Sequence, residues 1–155
     1  MKFNITEYEG LINGFYKKMR ESEEPLSSIR LSEDTWSLKE MVGHLVDSAS
    51  NNHQRFVRLH LDQSLEFPAY DTEKWKQVQK MNDFDWHVLI ELWKYYNDFL
   101  LHIIRNINED ILNHYWIKDG EQLTLEHLVK DYYKHIQWHI DLFDRRLQEL
   151  KNRSA

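Results

Sequence analysis

The stretch Ser37-Leu38-Lys39-Glu40-Met41-Val42-Gly43-His44-Leu45-Val46-Asp47-Ser48 decides how this chain is read. Its first four residues form a capping-box pattern, in which a serine and a glutamate three positions on each satisfy the other's unpaired backbone N–H. An apolar stripe follows through Leu38, Val42, Leu45, Ala49, Phe56 and Leu59, and it fades near Asp62. A long amphipathic helix opening after Ser37 is predicted. One residue of offset is about 100° of rotation, so His44 borders the apolar stripe instead of pointing away from it. Asp47, Ser48, Asn51 and Arg55, at +3, +4, +7 and +11 from His44, form a polar stripe on the same side.

Three more segments carry helical periodicity. Ile5, Tyr8, Ile12, Phe15 and Met19 mark the first, which stops near Ser22 before Pro25. Trp86, Leu89, Ile90, Trp93, Phe99, Leu100, Ile103 and Ile104 mark the third, ending around Asn106. After a turn near Lys118-Asp119-Gly120-Glu121, the fourth runs through Leu125, Val129, Tyr132, Ile136, Ile140, Phe143, Leu147 and Leu150. Between the second and third, Phe67-Pro68-Ala69-Tyr70 interrupts any helix, and Asp71-Thr72 caps a short one carrying Trp75. No β-hairpin is evident, although Tyr115-Trp116-Ile117 reads as briefly extended. The expected fold is all-α: a single four-helix bundle over residues 1–155, with a short extra helix or irregular segment between helices two and three.

Composition limits the function. Four glycines and two prolines in 155 residues favour long helices, and the absence of cysteine excludes disulfides, thiolate metal sites and a cysteine nucleophile. A net charge of −6 gives no general attraction for phosphate backbones, so nucleic acid is not the expected partner. No apolar run approaches the length of a membrane span and the N-terminus lacks a secretory h-region, so a soluble cytoplasmic protein is expected, without a membrane partner. Surplus aromatics on the third segment, Trp86, Trp93 and Tyr95-Tyr96, are candidates for an outer face in a homodimer, although such aromatics can equally lie inside the bundle.

The chemistry lies in Tyr133-Lys134-His135-Ile136-Gln137-Trp138-His139-Ile140. Two histidines at i, i+4 lie one turn apart on one helix face, close enough for both rings to reach a single ion. His44, from another helix, would complete a three-nitrogen site with open positions, an arrangement suited to catalysis. Such pairs are usually incidental. Six further histidines (His53, His60, His87, His102, His114 and His127) show how freely this chain uses the residue. Helix geometry adds a condition: His44 lies about 10 Å along its helix from Ser37, while His135 and His139 lie about 16 and 22 Å from Thr124. If the two helices ran parallel, the last would have to start well below the second.

Trp36-Ser37, His44-Leu45-Val46-Asp47-Ser48, Asn51, Arg55-Phe56, Tyr70-Asp71 with Trp75, and Leu123-Thr124-Leu125 leading to His135 and His139 resemble the DinB/YfiT-like superfamily of metal-binding four-helix bundles. The likeness spans about residues 36–75 and 120–145, and it implies that His44, His135 and His139 are metal ligands. Trp138 and Leu142 depart from it, standing where related sequences often carry further histidines. Three imidazoles suit a borderline divalent ion, zinc first, with nickel, iron or manganese as alternatives. A zinc protease of the His-Glu-x-x-His type is disfavoured, because Ile136 occupies the glutamate's place.

The resemblance implies either transfer of a low-molecular-weight thiol, bacillithiol-like, to an electrophile or hydrolysis of a small amide or ester. A non-catalytic, stress-related metal-binding bundle is the third reading. Thiol transfer is the preferred expectation, with a small-molecule thiol and an electrophile as partners. In that scheme Asp47 orients a ligand ring or accepts a proton, and Asn51 and Arg55 grip a carboxylate or sugar of the thiol. The plainer alternatives are an Asp47–Arg55 surface pair and an Asn51 bonded within the bundle. Tyr70, Asp71 and Trp75 read either as a lid or as packing.

Overall fold

The computed structural model describes residues 2–154. Its helices are α1 (Ile5–Glu21), α2 (Leu38–Leu61), α3 (Thr72–Gln79), α4 (Trp86–Arg105) and α5 (Leu125–Ser154), with strands β1 (Ser64–Glu66), β2 (Tyr115–Lys118) and β3 (Glu121–Thr124). The four long helices are those the periodicity predicts, and α3 is the expected short one, its start fixed by Asp71 accepting from Lys74 N–H at 3.0 Å. The capping box at α2 is complete: Ser37 Oγ accepts from Glu40 N–H at 3.2 Å, and Ser37 N–H donates to Glu40 Oε1 at 3.0 Å. Arg30 grips the same buried carboxylate through two bonds of 2.8 Å, so the charge at this helix start is paired.

Side-chain contacts fix the helix directions. Along α2 and α5 partners run in opposite order: the Trp36 carbonyl accepts from Arg146, His44 meets His135 and His139, and Phe56 meets Tyr132. These helices are therefore antiparallel, which removes the offset a parallel pair would have needed. α1 and α5 ascend together, with Tyr8 stacked on Tyr133 and Phe15 edge-on to Phe143. α4 descends against α5, with Trp86 opposite Phe143 and Asn97 accepting from the Tyr132 hydroxyl. It follows that α2 and α4 are parallel, and the segment carrying β1 and α3 is the long crossover that joins them. No helix among the described residues is long and apolar enough to cross a membrane.

One expectation needs correction, and one open alternative is decided. A β-hairpin is present: β2 and β3 pair antiparallel, Lys118 opposite Glu121, around a two-residue loop. Asp119 and Gly120 both have positive φ, 50° and 80°, as the hairpin turn that follows strand twist requires. The polar Glu121-Gln122 hid the second strand, and the Asp-Gly pair was the usable signal. β1 adds parallel to β2, tying the crossover to the α4–α5 connection. Trp86 and Trp93 do not form an outer face; they are 1% and 0% exposed, whereas Val88, Leu92, Tyr95 and Phe99 face solvent.

Gly43, beside His44, is needed for close approach. An added Cβ would overlap Met81 Cγ and sit 2.6 Å from its Sδ. Gly43→Ala is thus expected to cost about 1–3 kcal/mol through overpacking. Thermal denaturation of the variant checks this, with a Tm equal to wild type counting against the packing described.

Candidate metal centre

The second turn of α2 supplies His44, and successive turns in the middle of α5 supply His135 and His139. Because the helices are antiparallel and both histidine faces border the core, the rings meet at the α2–α5 seam. His44 Nε2 lies 3.2 Å from His135 Nε2, which lies 3.1 Å from His139 Nε2. The three ring nitrogens all fall within 4.8 Å of one another. In a tetrahedral site with bonds of 2.0–2.1 Å, nitrogen ligands are roughly 3.3–3.4 Å apart, so the rings are already near chelating separation. Each neutral imidazole offers one N–H and one lone pair, and three Nε2 atoms facing one point cannot all be satisfied by each other. A divalent cation accepts all three lone pairs, so the donor set fits one.

Burial prepares the rings for this. Desolvation, reinforced by the neighbouring His135, brings His44 down to about 4. Desolvation, with His135 and His44 nearby, brings His139 down to about 3. His135 is also lowered by burial, while Asp131 one turn away pulls it back up. All three are uncharged at neutral pH, the form that binds metal. The Nδ1 atoms of His44 and His139 are buried without a hydrogen-bond partner. Aromatic edges orient these rings in place of the carboxylate or carbonyl that usually accepts from a ligand's other ring N–H: Trp36 lies 5.6 Å from His44, and Trp138 lies 4.8 Å from His139, ring centre to ring centre.

The pH consequence has a definite sign. Below about 6.5 the unfolded chain protonates these histidines while the folded chain resists until about 4 for His44 and 3 for His139, so their contribution to stability is lost as pH falls through that window. Asp47, raised by burial to about 6, acts oppositely, because the folded chain then holds a proton that the unfolded chain releases. Urea midpoints of metal-free protein are expected to fall between pH 7 and 5, and to fall more steeply in Asp47→Asn. A flat profile would contradict the burial of the rings.

The other expected site residues separate. Asp47, Ser48, Asn51 and Arg55 are all buried, at 4–7% exposure, so no surface Asp47–Arg55 pair exists. Both Asp47 oxygens accept from Gln79 Nε2 of α3 at 3.0 Å, and Asn51 donates back to the Asp47 carbonyl at 2.9 Å, within its own helix. Rotation explains the split: from His44, Asp47 and Asn51 turn about −60° and −20°, whereas Ser48, Asn52 and Arg55 turn about +40°, +80° and +20°. The second group lines a cavity of about 270 Å³ together with His44, His135, Tyr70, Trp116, His127 and Asp131. A larger hollow of about 470 Å³ beside Arg30, Glu40 and Lys76 contains no histidine and lies off this chemistry. The sequence did not single out His127 and Asp131 as site residues, although their spacing of eight and four residues before His135 places them along one side of α5. Trp75 packs on Tyr70 at 4.9 Å, so α3 covers the cavity edge without burying any of its own residues.

The search of protein-family models gave no match. The chain is 24% identical over 140 residues to a protein of Oceanobacillus iheyensis that carries the provisional name of a metal-dependent hydrolase, covering 88% of this chain and 79% of that one. Its structure resembles that of YfiT from Bacillus subtilis, described as "a probable metal-dependent hydrolase with an unusual four-helix bundle topology", with a TM-score of 0.81 at 18% identity over 97% of this chain and 85% of that one. The chain has the four-helix bundle fold of YfiT.

Proposed function

We propose that this chain is a divalent-metal-dependent enzyme in which His44, His135 and His139 hold the ion, and that it transfers a small thiol to an electrophilic substrate. The observation that carries the metal reading is the convergence of three uncharged, mostly buried imidazoles, with Nε2 separations of 3.1 and 3.2 Å, two of which, His44 and His135, line a cavity. Bound there, a divalent ion would supply Lewis acidity, lowering the pKa of a coordinated water or thiol toward neutrality.

A thiol asks less of the surrounding groups than water does. A thiol of pKa about 8.5 needs little more than a nearby positive charge to lose its proton at pH 7, whereas water benefits from a positioned base. Asp47, the carboxylate nearest to His44 in sequence, is engaged by Gln79 through both oxygens. Its role in this proposal is positional: it ties α3 to α2 and so shapes the cavity mouth. Asn51 braces the same turn. In the reaction, the thiol's S–H proton leaves to solvent or to Asp131 on the cavity wall, sulfur forms a bond to the electrophilic carbon, and the leaving group departs with the displaced electron pair.

Hydrolysis of a small amide or ester is the second reading, favoured by the names of the two related proteins and by the availability of Asp131 as a base. Zinc-loaded protein is expected to give thiol-dependent conversion of monochlorobimane, with at least a tenfold loss in His44→Ala. Cleavage of model esters or amides without added thiol would move the conclusion to hydrolysis. Metal binding without turnover of either kind would leave a non-catalytic bundle.

A further inference from the structure

We infer that the β2 end of this cavity is an anion subsite, so that the substrate is a small molecule with a carboxylate or phosphate at one end and its reacting group at the other. The inference rests on the proposed metal reading for the reacting end only. Its foundation is Arg55, which is 7% exposed yet has no ion-pair or hydrogen-bond partner among the described residues, its Nε being buried and unbonded. A guanidinium cannot shed its proton to escape burial, so leaving it unpaired is costly unless a ligand completes it. The contrast with the rest of the molecule is sharp. In the larger hollow, Arg30 and Lys76 both reach Glu40, and Lys76 also reaches Glu73.

The surroundings of Arg55 are built for presentation. Its guanidinium carbon lies 3.8 Å from the centre of the Trp116 ring, and Lys118 Nζ lies 5.9 Å from the same centre. Trp116 is itself fixed, 3% exposed and donating from Nε1 to the Phe67 carbonyl at 2.7 Å. A stacked guanidinium keeps its planar donor fork free for a bidentate acceptor. Arg55, Lys118 and Tyr70 line the cavity that also contains His44 and His135. Asp131 lines it too, on the helix that carries His135 one turn further on, so an anion is repelled from that wall and drawn toward β2. Three helical turns, a rise of about 16 Å, separate His44 from Arg55 with only about 20° of rotation, so both project along one side of α2, and the ligand that spans them is elongated.

Titration calorimetry on the full-length, metal-free chain tests this with succinate, inorganic phosphate and uncharged succinamide. The expected result is saturable 1:1 binding of succinate or phosphate, with the stronger of the two identifying the anion type, and none of succinamide. Arg55→Gln should weaken it at least about tenfold, while Arg58→Gln, an exposed arginine on the same helix, leaves it unchanged. If Arg55→Gln fails to fold by circular dichroism, Lys118→Gln and the Trp116 indole N–H resonance of wild-type protein decide: weaker binding and an anion-dependent shift of that resonance support the subsite. Absence of saturable anion binding, equal affinity in Arg55→Gln, or shifts confined to the Arg30–Lys76 hollow would overturn it. Because no metal is present, loss of the metal reading would leave this result standing, and the reverse also holds.

Discussion

His135→Ala is expected to weaken divalent-metal affinity by more than 100-fold and to abolish any metal-dependent turnover, with little change in the fold. His135 is the middle member of the triad, within 3.2 Å of both other Nε2 atoms, so its removal leaves two donors that no longer enclose a common point. Loss of a residue that only supports a metal ligand typically costs 10–100-fold, and loss of a ligand exceeds that. The ring is half-buried at the cavity wall, so alanine opens space toward solvent and not within the core. Competition against a chromophoric chelator measures the affinity directly. An affinity within a few-fold of wild type would mean that the ion sits elsewhere.

The largest expected loss of stability comes from Phe143→Ala. Phe143 is fully buried, packs edge-on to Phe15 at 5.1 Å and lies parallel to Trp86 at 6.4 Å, joining α5 to both α1 and α4. Truncating such a ring costs about 3–5 kcal/mol in lost transfer energy and residual cavity. Against a typical total of 5–15 kcal/mol this is a large fraction, and for a chain of this size it lowers Tm by roughly 10 °C. Phe143 also lies one turn beyond His139 on the same face, so looser packing there should weaken metal binding as well. Urea denaturation with and without added zinc separates the two effects. A loss below about 1 kcal/mol would show that α5 is not seated as described.

The helices were legible in the sequence because their signals are local. Tyr8, Ile12, Phe15 and Met19 repeat at the helical interval, Ser37 and Glu40 complete each other's backbone bonds, and Asp71 caps α3, none of which depends on distant residues. The placement of His44, His135 and His139 beside apolar stripes was legible for the same reason. Their convergence was implied by the family resemblance but not by periodicity, which is indifferent to helix direction, and contacts such as Trp36 with Arg146 and Phe56 with Tyr132 establish that α2 and α5 oppose one another. The cavity was the least visible feature. Asp47 and Arg55 look alike as members of one polar stripe, yet modest differences in rotation send one to Gln79 on α3 and the other to Trp116 on β2. Trp116 reaches that position through a hairpin whose second strand carries little β-propensity, and the positive φ of Asp119 and Gly120 is what makes the turn possible.

This pattern has a functional consequence. The three histidines stand on two long helices whose register the core enforces, so that end of the cavity is rigid. Its opposite end and its cover come from a three-stranded sheet of short strands and from α3, which buries no residue of its own. Substrate-dependent adjustment is therefore expected at α3, while the triad and Trp116 stay fixed.

The most direct test of the account is anomalous diffraction from crystals grown with one equivalent of zinc. The account predicts a single strong peak at the α2–α5 seam, about 2.0–2.1 Å from the Nε2 atoms of His44, His135 and His139. A map with the rings turned apart, or with zinc bound only at surface carboxylates, would contradict it.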